Sequence, residues 1–152
     1  MKTMTKYAVM LAAVSTIATT NVFAALSRVD QQLHDAVEAR DMQKALDAID
    51  KGATPNAQAQ SVVNSLAFPG VGSVTALHKA VAANDFDMVK MLLAEGAKPD
   101  IKAVVGRDEG FHPMQPSTAL EMAKAYAGGL SPMFEEKGEV FDKRIVDLLQ
   151  NR

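Results

Sequence analysis

The sequence predicts an all-α fold, a solenoid of three helix pairs with long connections between them. Three observations predict it. The chain repeats itself: LHDAVEARDMQKALDAIDKGATPN (33–56) lies over LHKAVAANDFDMVKMLLAEGAKPD (77–100) without a gap at an offset of 44. Inside each copy, apolar residues recur at near-helical spacing, Met42, Ala45, Ala48 and Ile49 in one and Phe86, Val89, Leu92 and Leu93 in the other. Hydrophobic residues make up 48% of the chain but aromatics only 5%, so the core must be built from Ala, Val, Leu, Ile and Met. Small side chains of this kind suit closely packed helices better than the β-branched and aromatic runs of sheets.

The first 24 residues stand apart. Lys2 and Lys6 precede an apolar run, AVMLAAVSTIA (8–18), and Val22-Phe23-Ala24 closes it with small or tolerated residues at the usual cleavage offsets. This reads as a bacterial secretory signal peptide cut after Ala24. The run of 11 residues is short of the roughly 20 that span a bilayer. A protein of residues 25–152 is therefore expected in the periplasm or secreted. The chain has no cysteine, so neither a lipid anchor on cysteine nor a disulfide can form, and stability must come from packing.

Loss of residues 1–24 removes two lysines and no acid, taking the formal charge from −2 to −4. An acidic surplus argues against a nucleic-acid partner and against attraction to anionic lipid, so no membrane contact is expected after cleavage.

Each helix of the repeat has readable ends. Thr75 and Thr118 precede apolar helices and can cap their free amides. Asp41 and Asp85 stand where the second helix of a pair begins, as caps carrying a favourable charge. Gly52 and Gly96 end those helices, where a left-handed residue is required. Pro55 and Pro99 follow and cannot continue a helix. A third copy starts at Thr118: TALEMAKA (118–125) lies over TALHKAVA (75–82) at an offset of 43. Its second half returns as IVDLLQN (145–151) after an insertion. The copies occupy about 30–58, 74–102 and 117–152. Asp35, Glu38 and Arg40 on the first and Asp142, Lys143, Arg144 and Asp147 on the last are expected to give the ends of the stack a polar outer face.

The segment TALHKAVAANDFDMVKMLLAEGAKPD (75–100) resembles the ankyrin repeat, whose pattern is T-P-L-H-x-A-A…G-x-x-x-V-V-x-L-L-L-x-x-G-A-x-x-N. The resemblance extends over nearly all of residues 25–152, with departures: Ala76 stands for the family's Pro, Gln31 and Gln32 for Thr-Pro, and Glu121 for His. It implies that His78 and His34 are structural, each ring bridging neighbouring turns by hydrogen bonds. It also implies hairpin-like finger connections beside the inner helices, and binding of a protein partner there.

The spacings of 44 and 43 exceed the family's period of about 33, so about ten residues are added to each connection. The first, residues 57–74, holds Val62, Val63, Leu66, Phe68 and Val71; the second, residues 101–117, holds Val104-Val105, then Arg107, Asp108, Phe111 and His112. These apolar residues either fold back over the helices as local core or form a partner-binding surface. In the second case Phe68 and Phe111 are the anchors, Arg107 is the polar contact, and Val71, Asp108 and His112 flank them. The third insertion, residues 128–142, is expected as a short hairpin pairing Met133-Phe134 with Val140-Phe141 and shielding the end of the core; a second contact site is the alternative.

Nothing in the sequence points to catalysis. No pair of histidines has helical metal-ligand spacing, and neither a nucleophile elbow nor a phosphate-binding loop is present. No cofactor or metal is expected. The expected function is a non-catalytic protein-binding module, with an inhibitor or immunity protein that neutralises a toxin or hydrolase as the alternative.

Overall fold

A computed structural model describes residues 26–65, 68–105, 117–129 and 138–152. For residues 60–65, 68–72, 104 and 105 the description is of the backbone. Among the described residues six helices and four strands follow one another: α1 (Arg28–Glu38), α2 (Met42–Asp50), β1 (Gln58–Ser65), β2 (Phe68–Thr75), α3 (Ala76–Ala82), α4 (Phe86–Ala94), β3 (Lys102–Val105), β4 (Ser117–Thr118), α5 (Ala119–Ala127) and α6 (Arg144–Gln150). The fold is helix-rich with short strands, which corrects the all-α expectation. The added length of the connections allows β pairing that a minimal turn would not.

The two aligned copies share their turns atom for atom. At the end of α2 the Ala53 N–H donates to Ala48 O and the Gly52 N–H to Ile49 O. At the end of α4 the Ala97 N–H donates to Leu92 O and the Gly96 N–H to Leu93 O. This is the Schellman pattern, and it needs a left-handed residue: φ is +96° at Gly52 and +87° at Gly96. The turns inside each pair have the same bonding, Asp41 to Ala36 O and Asp85 to Ala80 O. There the left-handed residues are Arg40 and Asn84, both at φ 55°. The Asp41 and Asp85 carboxylates then accept the N–H groups of Lys44 and Met88 to start α2 and α4.

α1 packs on α2 and α3, α3 on α4 and α5, and α6 on α5 and α4, so one core runs through the pile. Its fully buried side chains include Leu33, Leu77, Met88, Leu92 and Ile145, with Ala45, Ala80 and Ala123 where helices approach closely. The strands form one antiparallel sheet in the order β1-β2-β3-β4. β1 and β2 make a hairpin from Gln58↔Thr75 to Ser65↔Phe68. β2 then meets β3 at Gly72↔Val105 and Ser73↔Val104, so strands of successive connections pair with each other.

Three local expectations change. Glu38 and Arg40 face the second helix pair, not the open end: Glu38 pairs with Lys79, and Arg40 Nη2 donates to Ala83 O at 2.6 Å. Asp142 and Arg144 also make contacts with the second helix pair, the Asp142 backbone N–H donating to Asn84 Oδ1 at 2.7 Å and the Arg144 guanidinium, still largely exposed, lying 4.3 Å from the Phe86 ring centroid. Val140 and Phe141 form no strand. Asn84 takes up the Val140 carbonyl and the Asp142 N–H, while Phe141 packs into the core with its ring centroid 5.7 Å from that of Tyr126. Met133 and Phe134 lie outside the described residues, as does the expected signal peptide with its cleavage site.

Candidate partner-binding face

Two buried imidazoles root the sheet on the helices. His34 of α1 holds the carbonyl of Ala57, just before β1, through Nε2 at 3.1 Å. His78 of α3 holds the carbonyl of Ser117, the first residue of β4, through Nε2 at 3.1 Å. A carbonyl only accepts, so in both rings Nε2 carries the proton and Nδ1 is bare. For His78 the bare nitrogen faces the Thr75 hydroxyl at 2.8 Å, and the same oxygen accepts the His78 N–H to cap α3. For His34, Nδ1 is buried with no hydrogen-bond partner among the described residues. Gln31 stands where Thr75 stands one copy later, and its side chain bonds Asp35 instead. Without a threonine cap at that position, α1 runs back one more turn to Ser27, whose hydroxyl accepts the Asp30 N–H.

Burial holds the pKa of both rings below the ordinary histidine value; Lys79 adds to the effect at His34. α5 starts with a reciprocal cap: the Thr118 hydroxyl accepts the Glu121 N–H, and the Glu121 carboxylate accepts the Thr118 N–H. Further bonds tie the strand roots to the helix turns. Gln58 Nε2 donates to Lys102 O at 2.9 Å. The Asn56 amide donates to Gly96 O at 3.0 Å and accepts from the Lys98 N–H at 2.7 Å, clamping one Gly-Ala turn on the next.

Of the expected contact residues, Phe68 opens β2 opposite Ser65, and Val71 lies opposite Val62. Arg107, Asp108, Phe111 and His112 lie outside the described residues. Gly52, Gly96, Thr75, Thr118, His34 and His78 occupy the turn, cap and root positions given above. Sequence reasoning missed Met88, which is fully buried, because its counterpart Lys44 in the first copy is polar. It also missed Asn56 and Asn84, whose roles depend on neighbours 40 and 42 residues away for Asn56 and 56 and 58 for Asn84.

A groove of about 490 Å³ lies at the other end of the pile, between α1 and α2, with Ala36 and Ala48 at its floor and Asp35, Lys44, Asp47 and Lys51 around it. One copy later the counterparts of Ala36, Lys44 and Ala48 are Ala80, Met88 and Leu92, all fully buried. The groove is the face that a preceding helix pair would cover, made polar where none is described. Among the described residues no three His, Asp or Glu side chains converge as they would around a metal ion. No described helix is long and apolar enough to cross a membrane.

The ankyrin-repeat family model matches residues 74–104, which take in the Thr75 cap, α3, the Asn84 turn, α4, the Gly96 turn and most of β3. The chain carries an ankyrin repeat. Ankyrin repeats are protein–protein interaction modules, and the matched repeat contains the Thr75–His78 root of this face. No curated protein matches the chain.

Proposed function

We propose that this ankyrin-repeat protein is exported to the periplasm, where three stacked repeats hold a protein partner against the two finger connections and the inner helices α1, α3 and α5. One observation carries the reading. The enlarged connections are rooted on those helices by buried side-chain bonds, from His34 to Ala57 and from His78 to Ser117. A lengthened loop on a rigid root is a device for contact, since added loop has no use in closing a helix pair. Phe68 and Phe111 supply apolar anchors, Arg107 a polar contact, and Val71, Asp108 and His112 the rim. No covalent step is involved.

Capture from a periplasmic extract tests the reading. The wild type should retain a partner that the double variant Phe68→Ala/Arg107→Ala loses, with the helical circular dichroism unchanged. Equal capture by both removes the fingers from the interface. If the retained partner is a toxin or hydrolase and loses activity when bound, the protein is an inhibitor; if it stays active, the protein is an adaptor. Export has its own check: protein recovered from the periplasm should begin at Ala25, and retention of Met1 would count against it.

A further inference from the structure

Among the described residues the sheet has one long free edge. β1 covers eight residues, QAQSVVNS, and pairs among them on one side only, with β2; of β4, at the other edge, two residues are described. Alternate residues of an antiparallel strand turn their N–H and C=O to the same neighbour, so half of β1 turns these groups outward. Natural edges are blunted by charges, proline or bulges. β1 has no charged residue and no proline, and its register with β2 is unbroken.

Repetition along the chain does not supply the missing neighbour. β2 lies beside β3 through Gly72 and Ser73. Their counterparts 44 residues earlier are Arg28 and Val29, and both are inside α1. The stretch that would cover β1 is helical because α1 runs back to its cap at Ser27.

We propose that a second copy of this chain covers the edge, β1 against β1 about a twofold axis. Such a pair is antiparallel, like every other pair in the sheet, and a single contact closes both free edges. β1 is neutral, so no register sets like charges opposite each other. Hydrogen bonding limits the register further. An outward-turned residue must meet another outward-turned residue, so the axis passes beside a residue and not between two. The centred choices are Ser61, with Ser61 opposite Ser61, and Val62, with Ser61 opposite Val63.

In both registers the variant Ser61→Lys/Val63→Lys sets lysine against lysine. Sedimentation equilibrium of the purified protein at submillimolar concentration should show a dimer for the wild type. The lysine variant should be monomeric with an unchanged helical signal. Mixing it with Ser61→Glu/Val63→Glu should restore a dimer, which a mere loss of folding would not. A monomeric wild type overturns the proposal. So does a lysine variant that dimerises as well as the wild type, or a lysine–glutamate mixture that stays monomeric while the wild type dimerises.

Discussion

His34 and His78 are 0% and 2% exposed, and each spends its single ring proton on a strand-root carbonyl. Burial keeps both neutral, so their folded pKa values lie below the unfolded value of 6.5. Protons therefore bind the unfolded chain first. The contribution of each ring is fully present above pH 6.5 and is lost as pH falls from there towards its folded pKa, at up to about 1.4 kcal/mol per pH unit for each ring. Urea unfolding at about pH 7.5 and about pH 5.5 should show the drop, and His34→Gln should reduce it. Asp142, hydrogen-bonded by Arg144, and Asp41, hydrogen-bonded by Lys44, have lowered pKa values, so their contributions disappear only in stronger acid. Gly96 gives a second prediction at this scale. A Cβ built on it meets no atom within 4 Å, so Gly96→Ala should cost only the left-handed conformation, about 1–2 kcal/mol by chemical denaturation. Gly96→Asn should cost less, since asparagine tolerates that conformation, as Asn84 does here.

The described helices are short, from seven to eleven residues, and none of them would hold alone in water. Their ends are therefore tightly specified. Thr118 and Glu121 cap α5 reciprocally, so Thr118→Ala should lower stability by about 1 kcal/mol, read as a shift in the unfolding midpoint. Packing contributes more per residue. Leu92 is fully buried on α4 and its carbonyl closes the Gly96 turn, so Leu92→Ala should cost about 2–5 kcal/mol. α1 shows a local change with a wider effect: with Gln31 in place of a cap, the helix lengthens back to Ser27, His34 loses the partner His78 has, and β1 loses the strand that repetition would place beside it.

Across the molecule, neighbouring units are stitched by bonds that each span about one repeat: Arg40 to Ala83, Asn56 to Gly96 and Lys98, Gln58 to Lys102, Glu38 to Lys79. Stability of such a pile is a sum of unit and nearest-neighbour terms, so its ends are the exposed points. The groove between α1 and α2 stays polar through Lys44 and Asp47, whose counterparts on α4 are Met88 and Met91. Lys44→Met/Asp47→Met should make that end apolar and drive association, seen by light scattering, with little change in helical content.

Read alone, the sequence determined the helix pairs, their caps and the Gly52 and Gly96 turns, because each is set by residues within a few positions of one another. The pairing of β2 with β3, the contacts that Glu38, Arg40 and Arg144 make with the second helix pair, and the clamps made by Asn56 and Asn84 were decided by the tertiary structure alone. Their partners lie roughly a repeat or more away along the chain, and only stacking brings them into reach.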